Sequence, residues 1–478
     1  MLKRIIIMIV MSGFLIAGYA QKTDHYNIEV KIKKYQDTVL YLANYYGDKT
    51  YIADTAYRKN SNGSFVFTKD KTLEGGLYMV VSQDKKSLFE FLLSDSFNMK
   101  LETSADDYIV NMKVKNSEEN TVFFEYLAYS GDLFKKIKPL RNDLKRMGSE
   151  NDSSVMIKEE ITAINQQMAD YKEAIIEEYP DSFLANFFGL LKDPVVPDTL
   201  PTLEDGTKDP VLSYYFYKQH YWDLIDLSDD RIVRTPVYYR KLDTYFDQVI
   251  SKDADSIIYE IDHLLAQMNE TGDLYKFTLW HLTVKFDESA IMGHDAILVY
   301  MTDHYFLKGK ADWLDEQVIK NLAEESDKRR TTLIGKQAPN LIMQDTNFKP
   351  VNLYEVEKDF IIIYFWDPQC GHCKEETPKL VKFYNEFAEK LNVEIFAVCT
   401  DTNMVKMKKY IKEKGMNFIN VNGPRAYTND YHELYNIFST PIEIVLDKDK
   451  KIIAKRLQSD QLAEFIENYT KLKEEENQ

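Results

Sequence analysis

The sequence predicts a multidomain protein with an all-β domain first, an all-α domain next and an α/β domain last. Apolar and polar residues alternate from about Tyr26 to Val114. From about Ser117 to Ser326 apolar residues recur three and four positions apart, which is a helical period. After that, short apolar runs alternate with helical patterns. A chain of 478 residues is also too long for one core, and about three domains is the ordinary expectation.

Composition and charge exclude some classes of function. Hydrophobic residues make up 44% and charged residues 29% of the chain, which is an ordinary globular mixture rather than a disordered one. The formal net charge is -17. A negative field of this size repels phosphate backbones, so we expect no nucleic-acid partner.

Residues 1–20 read as a cleaved signal peptide. A basic start, "MLKR", precedes the apolar stretch "IIIMIVMSGFLIAG", and small residues at Gly18 and Ala20 match a cleavage site. The alternative is a membrane anchor, but the apolar run falls short of the ~20 residues that span a bilayer. We therefore expect a secreted, periplasmic protein with no membrane span in the mature chain.

Residues 21–116 predict a β-sandwich domain. "YNIEVKIKKY" alternates apolar and polar residues, and Asn62-Gly63 between two short runs predicts a hairpin. "GGLYMVVS", "LFEFLLS" and "FNMKLET" follow at the short spacing of an antiparallel sandwich.

Residues 117–328 predict a helical domain. Its aromatic run includes Tyr214, Tyr215, Phe216, Tyr217, Tyr221 and Trp222. These aromatics form either a core between helices or a binding groove, and buried aromatic side chains favour the core.

Residues 329–478 predict an α/β domain. "DFIIIYF" and "VEIFAVCTD" are buried strands, and helices follow each of them. "IEIVLDK" and "KIIAKRL" predict a hairpin across Asp447–Lys450, and the closing helix has Ser459 as its predicted N-cap.

Two of the three cysteines lie in "FWDPQCGHCKEETPKL", between a buried strand and a helix. Cysteines at i and i+3 share one helix face, close enough for a disulfide. Cys370 lies at the helix N-terminus, where free N–H groups and the dipole lower a thiol pKa, so it is the predicted nucleophile. His372, when protonated, adds positive charge beside it. A zinc site needs a second ligand pair, which the sequence lacks, so we expect no metal and no cofactor.

The α/β segment resembles the thioredoxin-like thiol–disulfide oxidoreductases of the TlpA/ResA type, over about Ile334 to Leu472. "FWDPQCGHCKEETP" matches their motif, and "STPIEIVLDKDKKII" matches the segment in which their cis proline faces the dithiol. The resemblance implies that Cys370 and Cys373 are catalytic and form the redox disulfide, and it includes Glu376 in the catalytic set. It implies substrate contacts at Trp366, His372, Thr440 and Pro441. The preceding segments resemble β-sandwich and helical domains of unknown function found in exported bacterial redox proteins.

Two residues have alternative interpretations. Glu376 shares a helix face with Cys373 and is either the acceptor of its proton or a solvated glutamate. Cys399, at the end of a strand, is either a buried core residue or a third redox thiol.

The favoured function is an exported thiol–disulfide oxidoreductase that reduces or isomerises disulfides of envelope proteins. Its expected partners are disulfide- or thiol-bearing exported proteins and a membrane or periplasmic electron donor. The alternative is a peptide- or envelope-binding protein in which the redox domain is secondary. A peroxiredoxin is excluded because Asp367 stands where that family has a threonine.

Overall fold

A computed structural model describes residues 25–59, 63–147 and 152–476. The predicted signal peptide, residues 1–20, lies outside the described residues. The chain divides into two compact units. The first contains the residues up to Ile250 together with Ala266–Phe277, and the second contains Ser251–Leu265 together with the residues from Thr278 onward. The predicted domain boundaries after residues 116 and 328 stay predictions. Among the described residues, no helix has the length and apolar character needed to cross a membrane.

The first unit contains the predicted β-sandwich. One sheet has the order β4-β1-β7-β8 and the other β3-β2-β5-β6. Large apolar side chains from both sheets, among them Phe65, Phe67 and Phe91, share one buried core. The strands are β1 (Tyr26–Lys33), β2 (Val39–Tyr46), β3 (Lys49–Tyr57), β4 (Ser64–Lys69), β5 (Gly76–Ser82), β6 (Ser87–Leu93), β7 (Asn98–Ser104) and β8 (Lys113–Lys115).

The strand pairing corrects two predictions. The strands that flank Asn62-Gly63 belong to different sheets: β3 pairs with β2, and β4 pairs with β1. The hairpin instead joins β2 to β3 through Gly47, whose φ of 59° suits a two-residue turn. Also, β1 and β7 run parallel, so the sandwich is not wholly antiparallel. A turn signal marks a reversal of the chain but does not say which strands pair.

The central region is helical, as predicted. Two long helices are followed by shorter ones. They are α1 (Glu118–Met147), α2 (Asp152–Glu178), α3 (Phe183–Leu190), α4 (Pro210–Gln219), α5 (Tyr238–Thr244), α6 (Ala254–Leu265), α7 (Asp273–Asp287), α8 (Asp295–Met301) and α9 (Glu316–Arg330). The aromatic run divides: Tyr221 is buried against Tyr245, whereas Tyr214 and Tyr215 are exposed on α4, which buries none of its residues.

The C-terminal part of the second unit is a mixed sheet with the order β10-β9-β13-β12-β11-β14-β15. Strands β11, β12 and β13 are parallel, and β14 runs antiparallel to β11. The predicted hairpin of β14 and β15 is confirmed. The strands are β9 (Ile342–Asp345), β10 (Pro350–Asn352), β11 (Phe360–Trp366), β12 (Val393–Cys399), β13 (Ile419–Ala426), β14 (Ile442–Asp447) and β15 (Ile452–Lys455).

Helices cover both faces of this sheet. They are α10 (Gly371–Phe387), α11 (Met404–Lys414), α12 (Tyr431–Tyr435) and α13 (Leu462–Glu476). One buried cluster contains Leu380 of α10, Tyr410 of α11 and Ile466 of α13, and the other contains Tyr435 of α12. The predicted cap of the closing helix is wrong, because α13 begins at Leu462 and the Ser459 hydroxyl binds a strand residue instead.

Candidate active site

The two cysteines of the CxxC motif lie where β11 passes into α10. A short turn joins these elements, with the Gln369 N–H bonded to the Asp367 carboxylate at 2.6 Å. Cys370 is the N-cap of α10, and its sulfur accepts the backbone N–H of Cys373 at 3.3 Å. The free N–H groups of a helix start therefore point at the outer sulfur, as the sequence predicted.

The two sulfurs differ in exposure and in acidity. Cys370 is half-buried, whereas Cys373 is fully buried. Burial opposes ionisation of Cys370, but hydrogen bonds with the Cys373 side chain and backbone N–H outweigh it and lower the pKa of Cys370. Burial raises the pKa of Cys373 to about 12. The outer thiol thus ionises far more readily than the inner one, which is the asymmetry that a nucleophile and a resolving thiol need.

The second motif meets the first at the outer sulfur. The Thr440–Pro441 peptide bond is cis, as predicted. The Cys370 thiol donates to the Thr440 carbonyl at 3.2 Å. Thr440 and Pro441 are both partly exposed, and Pro441 lines a groove together with the exposed side chain of His372. The cis-proline segment therefore lies directly beside Cys370 and is partly open to solvent.

Glu376 is largely buried, which argues against a solvated glutamate. Its side chain is 15% exposed, and it accepts the Ser459 N–H at 2.7 Å and the Lys379 ammonium at 3.0 Å. Burial favours the neutral acid, but these hydrogen bonds outweigh it and lower the pKa of Glu376. Its neighbour Glu375 is exposed. Glu376 is therefore ionised at neutral pH, as a proton acceptor must be.

A second carboxyl group, Glu443 on β14, lies beside Glu376 and was missed by the sequence analysis. Glu443 is 3% exposed. The Ser459 hydroxyl donates to Glu443 Oε1 at 2.6 Å while the Ser459 N–H holds Glu376, so one serine joins both carboxyl groups. Burial, together with the negative charge of Glu376, raises the pKa of Glu443 to about 8. The only sequence signal was that Glu443 interrupts the apolar run of the strand "IEIVLD".

A tyrosine–threonine network supports the inner cysteine. Tyr364 of β11 bonds to Thr377 Oγ1 at 2.8 Å, and Tyr410 bonds both to Thr377 at 3.2 Å and to the Cys373 carbonyl at 3.1 Å. Burial raises the pKa of Tyr364, so its hydroxyl stays neutral. The network fixes the first turn of α10 over the sheet.

Two further residues are placed in the core. Trp366, predicted to contact substrate, is fully buried and stacks on Tyr410 with ring centroids 4.9 Å apart. It does not contribute to the surface, so that prediction is corrected. Cys399 is also fully buried, and burial raises its pKa to about 12, which agrees with a core residue. Among the described residues, no group of three or more His, Cys, Asp or Glu side chains is placed to hold a metal ion.

Three family models match the chain, in the order of the predicted domains. Residues 26–123 match a domain of unknown function, DUF4369, and residues 153–328 match another, DUF5106. Residues 334–455 match the AhpC/TSA family.

Curated relatives and solved structures match the C-terminal segment. The thiol-disulfide oxidoreductase ResA of Bacillus thuringiensis is 29% identical over 140 residues, which cover 29% of this chain and 77% of the relative. ResA of Bacillus subtilis is 27% identical over 121 residues, 25% of this chain and 64% of the relative. A domain of possible thiol-disulfide isomerase from Cytophaga hutchinsonii is 38% identical, with 30% of this chain and 96% of that chain covered and a TM-score of 0.28. The thioredoxin domain of a thiol-disulfide oxidoreductase from Bacteroides vulgatus is 30% identical. The match covers 28% of this chain and 96% of that chain, with a TM-score of 0.26.

Proposed function

We propose that Cys370 and Cys373 are the redox dithiol of an exported enzyme, because the C-terminal domain is thioredoxin-like and is similar to the thiol–disulfide oxidoreductase ResA. This enzyme reduces or isomerises disulfides of envelope proteins. The observation that carries the proposal is the difference between the two thiols: an accessible sulfur of lowered pKa at a helix start, and a buried one of raised pKa behind it.

The reaction follows from that difference. The Cys370 thiolate attacks a substrate disulfide, a mixed disulfide forms, and the released sulfur leaves with the electron pair and takes a proton from water. Cys373 then loses its proton and attacks the Cys370 sulfur, which frees the second substrate thiol. The substrate gains two electrons and the dithiol becomes a disulfide. An envelope thiol donor returns two electrons to the enzyme.

Glu376 is the proposed acceptor of the Cys373 proton. The resolving thiol has a pKa of about 12 and is almost wholly protonated at neutral pH. A carboxylate one helical turn further along α10, with a lowered pKa, stays ionised and can take the proton during the attack. The hydrogen bonds from Ser459 and Lys379 hold this carboxylate in one orientation.

Thr440 and Pro441 are the proposed docking point for the substrate chain. A partly exposed cis-proline segment beside the outer sulfur suits an extended segment of substrate that adds to it as a strand would. His372, exposed on the same groove, is a further proposed substrate contact. The proposed partners are therefore disulfide-bearing exported proteins, together with the electron donor. Residues 1–20 are proposed to direct export to the periplasm.

The test is reduction of insulin by the mature chain, with dithiothreitol as the electron source. We expect turnover in the wild type and in Cys399→Ser, and none in Cys370→Ser. Equal turnover in wild type and Cys370→Ser, or loss of turnover in Cys399→Ser alone, would refute the assignment.

A second candidate, a peptide-binding protein, is favoured by one observation. Val211, Tyr214 and Tyr215 are 58%, 40% and 60% exposed, and their spacing places them on one face of α4. Calorimetry with the isolated, alkylated insulin B chain distinguishes the two functions. Binding that survives Cys370→Ser and is lost in Tyr215→Ser would favour the binding protein.

A further inference from the structure

A cavity of about 250 Å³ lies next to the cis-proline groove within the second unit. One wall comes from the loop Ser289–Gly293, between α7 and α8, and the other from residues around Phe438 and Leu457. Cavity and groove share the lining residues Ile442, Arg456 and Leu457, so they adjoin. An apolar cavity of about 150 Å³ can hold benzene, so this one has room for a large side chain.

The loop is fixed against the edge of the sheet. The N–H of Lys455, on edge strand β15, donates to the Met292 sulfur at 3.2 Å. The Lys455 ammonium forms an ion pair with Asp295 at the start of α8, and both side chains are largely buried. His294 is buried and bonds to Ser289 at 2.8 Å within the loop. The helical region thus supplies a preformed wall to the cavity next to the cis-proline groove.

Both walls of the cavity expose apolar side chains to solvent. Phe438, two residues before Thr440, is 73% exposed, and Ile291 and Met292 are 47% and 41% exposed. Large apolar side chains grouped around one cavity are typical of a binding surface rather than of random exposure.

The charges around the cavity are paired, with one exception. Lys455 pairs with Asp295, Arg329 pairs with Asp287 and Glu325, and Lys379 pairs with Glu376. Arg456 is exposed, lines both the cavity and the groove, and makes no ion pair with another described residue. Its guanidinium is therefore free to bind a carboxylate of a ligand.

We propose that the loop Ser289–Gly293 and the cis-proline segment form one substrate subsite, which binds an apolar and an acidic side chain of the disulfide-bearing polypeptide. This inference rests on the proposed function and gives the helical region a part in it. The substrate chain bound at Thr440 continues over Ile442, placing its apolar side chain against Phe438 and Met292. A neighbouring acidic side chain lies within reach of Arg456.

The experiment uses the full mature chain and three disulfides. Two are matched peptides, each with a single cysteine in a mixed disulfide. In one peptide Phe and Asp flank this cysteine, and in the other Phe and Lys flank it. The third is hydroxyethyl disulfide, a small neutral disulfide with neither an apolar side chain nor a carboxylate to occupy the subsite. We expect the acidic peptide to have the higher kcat/KM, and Arg456→Glu to reverse that preference. Phe438→Ser should lower the ratio of peptide to hydroxyethyl disulfide kcat/KM about tenfold.

Val405→Ser is the matched control, since Val405 is 77% exposed on α11, outside the cavity and the groove. It should leave every ratio unchanged. The inference would be overturned if Phe438→Ser left the ratio of peptide to hydroxyethyl disulfide kcat/KM unchanged. It would also be overturned if Arg456→Glu still preferred the acidic peptide. Failure of the wild type to reduce hydroxyethyl disulfide would instead contradict the proposed function.

Discussion

Replacing Glu443 by glutamine should make the C-terminal domain more stable than the wild type at high pH. Burial raises the pKa of Glu443 from an ordinary value of 4.5 to about 8 in the folded chain. Above pH 4.5 the unfolded chain releases this proton while the folded chain retains it. Folding therefore loses stability between pH 4.5 and about 8, and the loss is complete above that range.

The magnitude follows from the size of the shift. A difference of about 3.5 units at about 1.4 kcal/mol each gives a loss of about 5 kcal/mol as an upper limit. Glutamine cannot ionise, so Glu443→Gln does not have this loss. At pH 4.5 the variant should be less stable by about 1 kcal/mol, because it weakens the bond to Ser459. At about pH 8 it should be more stable than the wild type by a few kcal/mol.

The assay is urea unfolding at several pH values, followed by pulse labelling of Cys399. This thiol is fully buried, so it is labelled where the C-terminal domain has unfolded. Because the protein has several domains, a probe inside one of them avoids mixing their transitions. Glu375→Gln, at an exposed position, is the control and should show no pH-dependent difference. A stability difference between Glu443→Gln and wild type that is constant with pH would refute the reasoning.

Three more predictions concern the dithiol itself. Iodoacetamide at about pH 8 should label Cys370, whereas Cys373 should react about 10³-fold more slowly than an ordinary thiol. Mass spectrometry measures the labelling of each cysteine, and equal labelling would contradict this prediction. In a stopped-flow experiment, Glu376→Gln should slow resolution of the mixed disulfide about 10²-fold, and Glu375→Gln should not; identical rates would end the proton-acceptor role. Pro441→Ala should raise KM for insulin more than for Ellman's reagent, and equal changes would count against docking there.

The dithiol could be predicted from sequence because its geometry is local. A buried strand, a short turn and a helix beginning at Cys370 determine which sulfur is exposed and which N–H groups it meets. The Thr440–Pro441 motif identified the segment that lies beside Cys370. Helices and strands with a clear period were also recognised, including the hairpin of β14 and β15.

Features that depend on distant partners could not be predicted. The sequence around Asn62 marks a reversal, but the pairing of β4 with β1 depends on a strand more than thirty residues away. The environment of Glu443 depends on Ser459, which follows β15, and on Glu376 in α10. Trp366 ends a strand whose two faces are both covered, so its burial required knowledge of the helices packed there.

The most direct test of the central claim is a redox titration of the mature chain in glutathione buffers, with the state of each cysteine read by mass spectrometry. We expect a single two-electron transition in which a disulfide forms between Cys370 and Cys373 while Cys399 stays a thiol. That transition should disappear in Cys373→Ser and persist in Cys399→Ser. A disulfide that involves Cys399, or none between Cys370 and Cys373 at any potential, would contradict it.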